Sequence, residues 1–143
     1  MRNHALIYPM TALVVLSCTV LVRLFLSRKR AVRSGEITTS FYRTFQGAVE
    51  PERTAKHARN FSNLFEAPTL FYAASLSAMQ VGDTPVTFVI LAWGYVAARV
   101  VHTVIHLGAN RLRHRIPAYF VSWILLVAMW VHIVVHVGAA PDS

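Results

Sequence analysis

Charge-free apolar runs set the pattern of this 143-residue chain. Residues 5–22 hold no Asp, Glu, Lys, Arg or His, and residues 116–141 hold no Asp, Glu, Lys or Arg. Between them, residues 60–82 carry only Glu66, and residues 84–110 carry only Arg99 as a formal charge. A helix needs about 20 apolar residues to cross a bilayer core. The pattern therefore predicts four spans, at about residues 5–26, 52–79, 85–107 and 117–137. Punctuation between the runs agrees: Pro51 suits an early helix position, Gly82-Asp83-Thr84-Pro85 reads as a tight turn with Asp83 or Thr84 as a cap, and Gly108-Ala109-Asn110 reads as a helix stop. The expected fold is all-α, a single integral membrane domain built as a four-helix bundle.

Composition supports that reading. The chain is 55% hydrophobic and 14% charged, with a mean hydropathy of +0.47, whereas a soluble domain carries about 25% charged residues. The net charge of +8 would suggest nucleic acid in a soluble protein, but its distribution argues otherwise. Nine of the fourteen Lys/Arg lie between residues 23 and 59, and Arg111, Arg113 and Arg115 lie between the third and fourth runs. Basic loops stay cytoplasmic, so both termini are expected on the non-cytoplasmic side of a multi-pass membrane protein. The basic surface then orients the protein and attracts anionic lipid or ligand rather than nucleic acid. Arg28-Lys29-Arg30 after the first run reads as a stop-transfer flank, so that run is expected to be a retained span and not a cleaved signal. Cys18, the only cysteine, reads as a small buried apolar residue.

Two polar ladders interrupt the apolar runs. Arg59, Asn63 and Glu66 follow i, i+4, i+7 spacing, and Arg99, His102, Thr103 and His106 follow i, i+3, i+4, i+7, so each forms a stripe on one helix face. Ionisable groups at membrane depth persist where they pair with one another or line a site. With the second span leaving the cytoplasm and the third returning to it, Glu66 and Arg99 fall at similar depth, as do Arg59 and His106. A Glu66–Arg99 ion pair is expected at the deep end. Arg59, Asn63 and His106 are expected around a more open cavity, capped by the arginines of the next loop. Such a cavity suits an anionic ligand with several carboxylates.

Arg59-x-x-x-Asn63-x-x-Glu66 and Ala98-Arg99-Val100-Val101-His102-Thr103-Val104-Ile105-His106 resemble the second- and third-helix motifs of the membrane-associated proteins in eicosanoid and glutathione metabolism, most of all those of its glutathione-transferase and prostaglandin-synthase members. The resemblance extends over most of the chain. It implies a homotrimer, glutathione as co-substrate held by Arg59, Asn63, Glu66 and His102, and an arginine at the start of the fourth helix that stabilises the glutathione thiolate. Arg115 falls at that arginine's place, with Arg113 as a rival, and Tyr119 falls where the family has a glutathione-contacting tyrosine. His106 stands where the eicosanoid-making members have tyrosine, Ile116 follows the implied catalytic arginine where the synthase has serine, and Ser62 replaces an arginine before the motif Asn63. These departures count against prostaglandin synthesis in particular, while they leave room both for general glutathione chemistry on lipophilic electrophiles or hydroperoxides and for a protein that keeps the fold without the activity.

Other readings follow from the same residues. A non-catalytic lipid-binding or scaffold protein could use the same fold. A redox bundle could use the pairs His102/His106 and His132/His136, whose spacing puts both rings of each pair on one face. About 25–30 Å of helix separates His132 and His136 from the cytoplasmic end of the fourth span, so the two pairs belong to opposite leaflets and no shared metal site is expected. His132 and His136 read as interfacial residues near the outer surface. Short loops and the lack of a sorting tail lean toward a bacterial inner membrane.

Overall fold

The computed structural model describes residues 4–139, and every regular element among them is helical. A 3₁₀ turn at His4–Leu6 leads into α1 (Ile7–Arg33). One helical turn, α2 (Phe41–Thr44), lies in the basic loop, followed by α3 (Glu52–Asn63) and α4 (Ala67–Val81). The long helices α5 (Val86–Leu107) and α6 (Leu112–Ala139) come last. Three stretches are long and apolar enough to cross a membrane: His4–Arg33, α5 and α6.

The second expected span is not one helix. Its twelve-residue first half, α3, and its fifteen-residue second half, α4, are each shorter than the about 20 residues a crossing needs. Pro68 supplies the reason. In a continuous helix its ring would collide with the Leu64 carbonyl, and it has no N–H to donate. The chain stops α3 at Asn63 and restarts at Ala67, so that Pro68 falls in the first turn, where proline is tolerated. Glu66 stands at the junction with φ −85° and ψ −97°, outside the helical region.

Although short, α4 is well buried on one face. Ala67, Phe71, Ala74 and Ala78 recur at helical spacing and join one apolar cluster with Leu6 and Leu13 near the N-terminus, Phe88, Ala92 and Tyr95 of α5, and Leu126 and Met129 of α6. Alanines let the neighbouring helices approach closely, and the Phe71 ring stacks on Tyr95 with centroids 4.6 Å apart and planes 7° from parallel. The outward faces are apolar too: Phe25, Val86, Ile124 and Val134 are all more than 60% exposed. Large apolar side chains exposed on three long helices suit a lipid-facing surface. Cys18 belongs to this outer face, which corrects its expected burial: it is exposed on α1.

Two further boundaries differ from expectation. The fourth apolar helix begins at Leu112 and not near Pro117, so Arg113 and Arg115 sit in its first turn. The loop after α1 has a small core of its own, in which Ala31, Ile37 and Phe41 are buried. Arg28 closes it, 3.5 Å from the Glu50 carboxylate and with its guanidinium 4.9 Å from the Tyr42 ring centre. At the other end of α5, Asp83 does not cap a helix. Its Oδ2 lies 2.8 Å from His132 Nε2 and 3.1 Å from His136 Nδ1, tying the α4–α5 turn to α6. This gives the two histidines a partner that helical spacing alone did not reveal.

Candidate functional site

The break between α3 and α4 opens the wall of a cavity of about 650 Å³. Arg59, Ser62 and Asn63 line it from α3, Glu66 from the junction, His106 from α5, Asn110 from the turn that follows, and Arg115 from α6. The whole first ladder and the last rung of the second, His106, thus face one space where α3, α5 and the start of α6 meet, while Arg99, His102 and Thr103 are buried and do not line it. The volume suits a small-molecule ligand.

Arg99 behaves differently from the expected deep ion pair. It is fully buried, and its Nη2 donates to the backbone carbonyl of Asn63 at 2.6 Å. Among the described residues no carboxylate lies within 4 Å of it, and Glu66 is exposed toward the cavity. The Glu66–Arg99 ion pair is therefore not formed. The helix break explains why. Carbonyls in the last turn of α3 lose their i+4 partners at the break, and the nearby guanidinium supplies a donor to one of them. Nε and Nη1 of Arg99 have no hydrogen-bond partner among the described residues.

His102 and Tyr119 stand behind the lining. His102 is buried, with its ring 5.8 Å from the Tyr119 ring and 5.7 Å from that of His106. Its Nδ1 and that of His106 have no hydrogen-bond partner among the described residues. Of the two arginines proposed for the start of the last helix, Arg115 lines the cavity, half-buried, while Arg113 is exposed and is not among the lining residues.

Arg115 is fixed by Asn110, a residue that sequence reasoning treated only as part of a helix stop. Arg115 Nη1 donates to Asn110 Oδ1 at 2.8 Å. Asn110 has φ +51°, in the left-handed region that asparagine tolerates better than most residues. Lys56 was also missed. Its Nζ donates to the Gly108 carbonyl at 2.9 Å and joins α3 to the same turn. Asn60 is fully buried, with both amide atoms unpartnered among the described residues. Its place directly after Arg59 of the first ladder was the signal available for it.

The electrostatics of the cavity favour an anion. Two guanidinium groups, Arg59 and Arg115, face a single carboxylate, Glu66. Arginines in the first turn of α6 oppose the helix dipole, which costs about 0.3–1 kcal/mol each at an exposed site. A bound anion offsets that cost by meeting both the positive helix end and the side chains.

A comparison with protein families matches this chain to the MAPEG family over residues 6–135. Neither the curated proteins nor the solved structures compared gave a match. The matched stretch runs from the 3₁₀ turn to the last part of α6 and contains both ladders, the helix break and the arginine-bearing turn. The chain therefore belongs to the MAPEG family, whose members include glutathione-dependent enzymes.

Proposed function

We propose that this protein is a glutathione-dependent membrane enzyme that transfers glutathione to lipophilic electrophiles or uses it to reduce hydroperoxides. The observation that carries this reading is the convergence of Arg59, Asn63, Glu66, His106 and Arg115 on one cavity. Glutathione has two carboxylates, an ammonium and a thiol. Arg59 and the amide of Asn63 suit a carboxylate, Glu66 suits the ammonium, and Arg115 is left for the sulfur. His102, buried behind the lining, and the half-buried Tyr119 beside it back the wall.

A free thiol has a pKa of about 8.5 and is mostly protonated at neutral pH. A guanidinium beside it favours the thiolate, which is the nucleophile. In conjugation the thiolate forms a C–S bond to the electrophilic carbon, and the leaving group departs with its electron pair. The second substrate arrives from the bilayer between helices. Three further features belong to the same proposal: assembly as a homotrimer with glutathione held between subunits, a fourth crossing completed by α3 and α4 together, and a cytoplasmic mouth.

Titration of the detergent-purified protein with glutathione, followed by thiolate absorbance in the ultraviolet, tests the reading. A saturable thiolate signal is expected in the unaltered protein, weakened in Asn63→Ala and lost in Arg115→Ala. Absence of the signal from the unaltered protein would overturn the enzyme reading. Glutathione binding without a thiolate signal would favour a non-catalytic protein on the same fold.

A further inference from the structure

A second cleft lies on a different part of the molecule. We propose that the cleft between the end of α1 and the start of α3 binds the phosphate headgroup of an anionic phospholipid, with Arg23, Arg30, Arg53 and His57 as its binding groups. This is independent of the glutathione reading, since none of the four lines that cavity.

Arg23, Ser27 and Arg30 follow i, i+4, i+7 spacing on α1, and Arg53 and His57 follow i, i+4 spacing on α3, so one face of each helix is involved. Together with Leu26 they line a cavity of about 280 Å³. A bond of 3.1 Å between Ser27 Oγ and Thr54 Oγ1 fixes the two helices at the cleft floor. The His57 ring is held through Nδ1, 2.7 Å from the Arg53 carbonyl, which leaves its other nitrogen free.

Among the described residues none of the cleft's three arginines forms an ion pair, although Arg30 and Arg53 also line the adjoining cavity that holds Glu36 and Glu52. Arg28, on the neighbouring face of α1, is paired with Glu50. Among the described residues, no carboxylate lies within 4 Å of Arg23, Arg30 or Arg53. Glu36 and Glu52 line an adjoining cavity on the loop side, and Glu36 accepts from Ser34 Oγ at 2.6 Å. Three exposed guanidinium groups lining one small cleft offer an anion several charge-assisted hydrogen bonds at once.

Depth selects the source of that anion. Counting about 30 Å of bilayer core from Ile7 at 1.5 Å per residue reaches Leu26, so Arg30 stands at headgroup level and Arg23 about one helical turn inside that boundary, from which its long side chain reaches the headgroups. Immediately before the cleft, Val22, Phe25 and Leu26 are more than half exposed on α1, a surface for an acyl chain. A phosphate diester with attached acyl chains meets both features. A free phosphate meets only the first.

Native mass spectrometry of the delipidated protein, titrated separately with phosphatidylglycerol, phosphatidylcholine and inorganic phosphate, tests the proposal. Saturable binding of phosphatidylglycerol is expected, with phosphatidylcholine at least tenfold weaker (about 1.4 kcal/mol). Arg30→Gln and Arg53→Gln should each weaken phosphatidylglycerol by about tenfold, beyond the roughly fivefold expected of one cation merely near an anionic surface. Arg53→Lys should restore part of the loss, and Arg43→Gln, an exposed charge elsewhere in the loop, should change affinity less than about twofold. Equal binding of the two lipids, or an equal loss in Arg43→Gln, would overturn the site. Inorganic phosphate binding as tightly as phosphatidylglycerol would overturn the lipid assignment. Unfolding temperatures of the variants in phosphatidylcholine, expected to match the unaltered protein, separate loss of binding from loss of fold.

Discussion

The side chain at the mouth of the candidate site, Arg115, owes its position to a neighbour in the turn before α6. Asn110 accepts its Nη1 at 2.8 Å while taking a left-handed backbone conformation. Asn110→Gly separates those two roles, because glycine keeps the backbone at no steric cost and only the side-chain bond is lost. We expect a weakening of glutathione binding by about tenfold, the scale of one hydrogen bond to a charged group, with little change in unfolding temperature. Calorimetric titration measures the first and thermal scanning the second. Most residues around the cavity were legible in the sequence, because a polar side chain in a greasy run is conspicuous and helical spacing assigns it a face. What they bond to was not legible. Matched depth suggested Glu66 for Arg99, yet the guanidinium goes to the Asn63 carbonyl, an acceptor that exists only because the helix breaks there.

Among the elements, the turn between α5 and α6 is the most constrained. A Cβ on Gly108 would stand 2.9 Å from the Val104 carbonyl oxygen, closer than such atoms approach. Gly108→Ala is expected to destabilise the protein by about 1–3 kcal/mol, as overpacking does, and to displace Asn110 from Arg115. A lowered unfolding temperature accompanied by weaker glutathione binding is the expected result. At the opposite end of α5, Asp83 holds α6 through His132 and His136. These groups are partly exposed, so Asp83→Ala is expected to cost only about 1 kcal/mol, read as a small drop in unfolding temperature. His136→Ala should cost less, since His132 keeps the shorter contact of 2.8 Å. Boundaries of α5 followed from the sequence because Pro85 and Gly108 flank it. The division of the second apolar run did not, because the run's composition hid what Pro68 does to the helix.

For the whole molecule, the open question of the fold is whether α3 and α4 together cross the membrane. If they do, residues 40 and 81 lie on opposite faces. With Cys18 replaced by serine, Ser40→Cys should react with a membrane-impermeant maleimide from the cytoplasmic side and Val81→Cys from the other. Labelling of both from one side would remove the fourth crossing. The sequence by itself determined that the protein is helical, that its long helices suit a lipid environment, and that two helix faces carry polar stripes, of which Arg59, Asn63, Glu66 and His106 line one cavity. All three follow from local periodicity and from the cost of burying charge in hydrocarbon. Only the tertiary structure decided that the second stripe's arginine bonds a broken helix end, that Arg115 and not Arg113 lines the cavity, and that Asp83 joins two histidines 49 and 53 residues further along the chain. These depend on where separate helices come to rest against one another, which periodicity along a single helix does not encode.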